Sequence, residues 1–191
     1  MMIKRDDLRA GSDVALPRVF IQTANFDPQR EILALREGRA DVGAVCCFVG
    51  TVRDCSQNRA VQWIELEHYP GMTERSIEAM IDEAQRRFGI LGARVVHRVG
   101  PLEAAAQIVL VAVISAHRGE SFRACEFLMD YLKTQAPFWK KEHTPEGAHW
   151  VDARVSDDQA FARWGIQAAP NGSLPGALPN GAMAWPQRKS Q

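Results

Sequence analysis

Apolar residues recur along this chain with two different periods, and the switches between them lay out the elements. Residues 43–53 (GAVCCFVGTVR) and 107–115 (QIVLVAVIS) are almost unbroken apolar runs rich in β-branched residues, which predicts two buried strands. Residues 18–22, 61–68, 93–99 and 149–153 predict shorter strands. Residues 61–68 (VQWIELEH) alternate, and Tyr69-Pro70-Gly71 then turns the chain, so this strand is expected to lie beside 43–53 in a long hairpin. The strands 93–99 and 107–115 are expected to join around Gly100-Pro101, and Thr144-Pro145-Glu146-Gly147 predicts a turn.

Helical spacing appears three times. Asp27 and Pro28 supply an N-cap and a proline at the first helical position, Ile32, Leu33 and Leu35 an apolar side, and Gly38 a stop. Thr73 caps a second helix with Ile77, Met80, Ile81 and Ala84 on its buried side and Gly89 at its end. Phe122, Cys125, Met129 and Leu132 mark a third, over residues 121–135, opened by Ser121 or Gly119 and stopped by Pro137. Strands and helices in this order favour an α+β fold, an antiparallel or mixed sheet with helices packed on one side, over a parallel Rossmann layout. No GxGxxG or GKS motif argues for nucleotide binding.

The pattern stops at both ends. Residues 1–17 are a polar lead-in and 166–191 a Pro/Gly-rich segment without period, expected to be disordered and carrying one isolated aromatic, Trp185. One domain is expected between them, over residues 18–165. Lys+Arg and Asp+Glu balance at 23 each, so the charge gives no support to a nucleic-acid partner. No leader and no bilayer-length apolar run is visible, which predicts a cytoplasmic protein without a membrane partner. Cys46, Cys47, Cys55 and Cys125 form no CxxC, and the first two should point to opposite faces of their strand. They are expected to be reduced and structural. The five histidines show no HxH or HxxxH spacing, so no metal and no cofactor are expected.

Against this neutral background one stretch, residues 115–142, is locally basic. His117 and Arg118 stand where the strand 107–115 leaves the sheet, and Phe138 and Trp139 precede Lys140 and Lys141. Lys133 falls at the margin of its helix's apolar stripe and should be half covered. It is either a snorkelling lysine with its stem on the core, or, beside other cations, a nucleophile or base of lowered pKa. Arg53, at the junction of a strand with the polar loop DCSQNRA, is either a solvated surface residue or an anion ligand.

Several segments together resemble the catalytic (large) subunit of molybdopterin synthase: FVGTVR at 48–53, LEHYPGMTE at 66–74, SAHRGESF at 115–122, MDYLKTQAPFWKKE at 129–142 and TPEGAHWVDAR at 144–154. The resemblance runs from about residue 20 to 164, departing from the family in the glycine-free loop 54–60 and in the final segment. It implies an α/β-hammerhead type of fold and a homodimer within a heterotetramer, each end holding a small ubiquitin-like sulfur-carrier subunit. It also implies a sulfurtransferase activity in molybdenum cofactor biosynthesis. The carrier's C-terminal thiocarboxylate donates sulfur to cyclic pyranopterin monophosphate (precursor Z), and two transfers build the dithiolene of molybdopterin.

Carried over position by position, the resemblance makes Lys133 and Lys140 catalytic. It places Thr51, Val52, Arg53, His117, Arg118, Lys141 and Glu142 around the substrate, and it allows Arg118 and Lys133 to serve different copies of the site. Two other readings compete on the residues alone. One is a non-catalytic module that binds an anion or an acidic tail, and the other an enzyme with a cysteine nucleophile, for which Cys55 is the candidate.

Overall fold

The computed structural model describes residues 17–56, 59–151 and 162–165; the lead-in and the final segment lie outside them. In chain order the elements are β1 (Val19–Gln22), α1 (Pro28–Arg36), β2 (Ala44–Thr51), β3 (Cys55–Ser56), β4 (Arg59–Ala60), β5 (Trp63–His68), α2 (Met72–Phe88), β6 (Gly92–Arg98), β7 (Gly100–Glu103), β8 (Gln107–Ser115), α3 (Arg118–Thr134), β9 (Phe138–Thr144) and β10 (Gly147–Val151). The architecture is mixed α+β, as expected, but built on two four-stranded sheets. Sheet 1 has the order β1-β6-β8-β2 and sheet 2 the order β10-β9-β5-β7, while β3 and β4 form a two-stranded ribbon. Among the described residues β1 and β6 run parallel and every other strand pair is antiparallel.

Sheet 1 is the frame. Its strand β8 is buried from Val109 to Ser115 and pairs with β2 on one side and β6 on the other. Alternate residues serve two layers, because neighbouring side chains on a strand point to opposite faces. Val95, Val109, Val111 and Val113 pack under α2 and α3 with Ile77, Ile81, Phe127 and Leu128. Leu110 and Val96 turn the other way, toward Phe26. On that second face Arg94 reaches Glu31 of α1 at 2.9 Å. The helices therefore cover both faces of sheet 1, which corrects the one-sided arrangement.

Sheet 2 overturns the expected long hairpin. β2 pairs with β8, whereas β5 pairs with β7 and β9 in the other sheet. The loop between β2 and β5 closes on itself through β3 and β4, with the Val61 N–H donating to the Asp54 carbonyl, and so delivers β5 to a different sheet. β7 occupies the Gly100-Pro101 connection, which had been read as a simple link. Because β7 follows β6 after one residue, sheet 2 is attached at the end of sheet 1 where β6 finishes and β8 begins.

Smaller differences lie at helix starts. Gly71, not Thr73, caps α2: its φ of 77° suits glycine, and its N–H donates to the Glu74 carboxylate at 2.6 Å. Thr73 instead locks the preceding turn, its hydroxyl donating to the Tyr69 carbonyl at 3.0 Å. α3 starts at Arg118, earlier than residue 121, with His117 as its N-cap in an extended conformation. Cys46 packs toward the core and Cys47 is exposed, in keeping with their predicted opposite directions.

Candidate active site

α3 begins two residues after β8 and lies antiparallel along it, the Cys125 thiol approaching the Val111 carbonyl halfway down. Its first residue, Arg118, is thus at one end of sheet 1 and Lys133 near the other. At 1.5 Å per residue the fifteen steps between them span about 22 Å. The same holds across β2. Its first residue pairs with Ser115 and its last with Gln107, so Thr51 and Arg53 lie at the Lys133 end, about 23 Å from His117. One chain does not bring all of these residues together.

The His117–Arg118 end is rigid. Ser115 donates to the His117 carbonyl at 2.6 Å and Ser121 to the Arg118 carbonyl at 3.0 Å. The Gly43 N–H donates to the Ser115 carbonyl, and a Cβ at Gly43 would collide with the Ala116 carbonyl oxygen. Both side chains are exposed at the N-terminus of α3, where backbone N–H groups favour an anion.

The other end holds the lysines. Lys133 is exposed, not half covered, because it lies past Leu132, the last buried residue of α3. Residues 138–144 form a strand, β9, which the hydrophobic pattern does not predict. On β9, Phe138, Lys140 and Glu142 share one face and Trp139, Lys141 and His143 the other. Lys140 donates to Glu142 at 2.8 Å, and the Glu142 side chain is only 6% exposed while that of Lys140 is 37% exposed. Burial alone would raise the Glu142 pKa; hydrogen bonding and charge from Lys140, a bond from Ser56 and the nearby His149 outweigh it and hold the carboxylate below its ordinary value. Ser56 belongs to the ribbon that follows Arg53, so this contact ties the Arg53 loop to the Lys140 strand.

Three of the expected substrate residues take other positions. Val52 is 4% exposed and packs with Val61, Ile64, Leu66 and Leu102, its N–H donating to the Ala106 carbonyl at 2.9 Å; its side chain is core. Glu142 is buried beneath Lys140 and orients it. Lys141 points away from Lys140, toward the outer face of sheet 2, with its ammonium 5.4 Å from the Trp150 ring centre. Thr51 and Arg53 are exposed.

The sequence reading also missed two groups. His97 is buried on β6 and stacked on Phe138. Trp164 packs edge-on against Phe88 and Phe127, its indole N–H donating to Asp130 at 2.8 Å. A histidine within the valine-rich strand GARVVHR was the available signal for the first. Among the described residues no cluster of three or more His, Cys, Asp or Glu could hold a metal, and no helix is long and apolar enough to cross a membrane. Burial raises the Cys125 pKa, with Cys46 adding to the effect, so this thiol is not an activated nucleophile.

Fold and site together define a class: a two-sheet α+β subunit that presents lysines where its sheets meet and a separate His-Arg pair at the far end of the frame. The family model described as MoaE protein matches residues 21–135. A molybdopterin synthase catalytic subunit from Ralstonia nicotianae is 58% identical over 151 residues, 79% of this chain and 86% of the relative. The solved molybdopterin biosynthesis MoaE protein from Burkholderia ambifaria superposes with a TM-score of 0.69 at 53% identity, covering 80% of this chain and all of that one. A complex of subunits 1 and 2 of molybdopterin-converting factor from Helicobacter pylori shares the fold, with a TM-score of 0.59 at 21% identity over 71% of this chain and 91% of its own.

The chain belongs to the MoaE family, the catalytic subunits of molybdopterin synthase. It is a sulfurtransferase of molybdenum cofactor biosynthesis.

Proposed function

We propose that the sulfur-transfer pocket is shared between two copies of this chain, one giving Lys133, Lys140 and Arg53 and the other His117 and Arg118. The pocket receives the C-terminal thiocarboxylate of a small ubiquitin-like carrier and cyclic pyranopterin monophosphate. The observation that carries this reading is the separation of Arg118 and Lys133 at the two ends of α3, with His117 beside the first and Arg53 at the end of the second. The edge position of β2 in sheet 1 among the described residues supports it further. β2 (AVCCFVGT) has neither charge nor proline, Phe48 and Val49 on it are exposed, and such an edge is ready to pair with another strand. Antiparallel pairing of two β2 strands about a two-fold axis sets the Ala44 end of one copy against the Thr51 end of the other. His117 and Arg118 of one copy then face Arg53 and Lys133 of its neighbour.

The chemistry suits the division. The substrate phosphate is taken by Arg118, His117 and Arg53 as charge-assisted contacts. Lys133, exposed at the end of α3, gives or takes the proton or polarises the donor's acyl carbonyl, and Lys140, fixed by Glu142, stabilises the anionic charge that develops there. Thr51 lines the same end, while Val52 and Glu142 act by holding backbone and lysine in place. The working unit is residues 18–165, and the whole assembly is a heterotetramer with a carrier at each end.

The test is complementation. Lys133→Ala and Arg118→Ala are each inactive with thiocarboxylated carrier at subsaturating pterin. Mixing and reassociating them makes half of the dimers mixed, each with one intact site, so about a quarter of wild-type dithiolene formation returns. A mixture as inactive as its parents would show that one chain supplies the whole site.

A further inference from the structure

We infer that His97 is a positioning residue for this site: its imidazole, lying flat on Phe138, sets where Lys140 stands relative to Lys133. The inference rests on the reading that both lysines work in one pocket. They are carried by different bodies. Lys133 is on α3, which packs on sheet 1, and Lys140 is on β9, which belongs to sheet 2. Between them run only residues 134–139, and Pro137 in that link has no N–H to pin. The relation of the two ammonium groups therefore depends on what fastens the start of β9 to sheet 1.

Phe138 and Ala136 pack against the core of sheet 1 and its helices, and the contact that can orient the Phe138 ring is the ring pair. His97 and Phe138 have centroids 3.8 Å apart and planes within 16°. His97 is well placed to be the fixed partner, because β6 is an interior strand: residue 97 pairs with Ile21 on one side and Val109 on the other. Phe138 and Lys140 are on the same face of β9, so the ring's position carries directly to the lysine two residues on. Two weaker attachments accompany the stack. The Thr73 hydroxyl, whose one proton is shared with the nearer Tyr69 carbonyl, lies 3.3 Å from the Pro137 carbonyl, and the His68 ring lies tilted at 6.5 Å from Phe138.

The imidazole is locked in orientation as well as place. Its Nδ1 lies 2.8 Å from the Arg98 carbonyl, which can only accept, so Nδ1 carries the proton and the ring cannot turn without losing that bond. A flat, oriented ring gives Phe138 one seat, whereas an aliphatic side chain of similar volume would fill the space and let the ring tilt. A specific geometry at this point explains a buried histidine among the valines of β6.

The experiment compares His97→Phe, which keeps a flat ring, with His97→Leu, which keeps only apolar filling. Steady-state turnover with thiocarboxylated carrier gives kcat and KM, thermal melting reports the fold, and a short amine-reactive cross-linker with mass spectrometry reports how readily Lys133 and Lys140 are bridged within a chain. We expect His97→Leu to fold, to lose about tenfold in kcat with KM nearly unchanged, and to bridge less, while His97→Phe stays within about threefold of wild type. Equal kcat and equal bridging in the two variants, or a loss confined to KM, would overturn the proposal. Should His97→Leu not fold, Phe138→Leu against Phe138→Tyr poses the same contrast from the other side of the stack. The bridging yield needs no turnover, so an inactive wild-type protein would count against the sulfur-transfer reading alone, and unchanged bridging against the role of His97.

Discussion

His97 should also make the fold sensitive to acid, by an amount that can be worked out. Burial is the main cause pushing its pKa from 6.5 down to about 4; the nearby His68 adds to this, and the bond to the Arg98 carbonyl opposes it. The folded chain therefore keeps the ring neutral at a pH where the unfolded chain protonates it. The unfolded state binds the extra proton, so stability is fully present above pH 6.5 and falls as the pH drops toward 4. At pH 5 the unfolded imidazole is protonated by 1.5 units of driving force and the folded one hardly at all, which amounts to about 2 kcal/mol lost relative to pH 7.5. The rest of the chain is common to wild type and a His97 variant, so the informative quantity is a difference. Urea unfolding of wild type and of His97→Phe at pH 7.5 and pH 5, at one fixed protein concentration, isolates it. The pH-dependent loss should be smaller in the variant by about 2 kcal/mol. Identical losses in the two proteins would mean that His97 is not held neutral by burial.

The two lysines should separate by stability although both abolish turnover: Lys133→Ala, at an exposed site, should stay within about 0.5 kcal/mol of wild type, whereas Lys140→Ala leaves the buried Glu142 without its main partner and should cost about 2 kcal/mol. Urea midpoints beside turnover check both. Trp164→Ala removes two edge-on ring contacts and the bond to Asp130, and should cost about 2–3 kcal/mol with kcat unchanged, read by thermal melting and turnover. Alkylation at neutral pH should label exposed Cys55 well before buried Cys125 and leave turnover intact, followed by mass spectrometry and activity; inactivation of folded protein would revive the thiol mechanism.

The parts of the fold that were legible are those whose burial follows one period. α2 puts Ile77, Met80, Ile81 and Ala84 in the core at helical spacing, and β8 is apolar from Ile108 to Ile114, so both stand where the sequence places them. β9 was not legible because its inner face is polar: FWKKEHT buries Glu142 and Thr144, which are satisfied by Lys140, Ser56 and the Gly147 carbonyl, and a run of paired charges does not look like a strand. The β2–β5 hairpin failed for a different reason. Neighbouring strands in sequence usually pair, but the 54–61 loop forms its own ribbon and carries β5 to another sheet, a choice made by partners remote in the chain. Lys133 looked half covered because its position four after Met129 continues the apolar stripe, although burial on α3 ends at Leu132.

The candidate site shows the limit more sharply than the fold does. Residue types at the right places in the chain pointed to an anion-handling pocket, and the resemblance named its members, yet treating residues 115–142 as one short region confused nearness in sequence with nearness in space. A helix is an effective spacer: the fifteen steps of α3 between Arg118 and Lys133 hold them about 22 Å apart, at opposite ends of sheet 1. The same rigidity makes the separation useful. Each end of α3 is fixed by a different device, the Ser115 and Ser121 hydroxyls at one and the link to β9 at the other, so each half-site is formed in the single chain. What a second copy adds is their meeting. In the proposed dimer a two-fold antiparallel β2 contact would bring the complementary halves together twice by symmetry, and no side chain would need to rearrange within either copy.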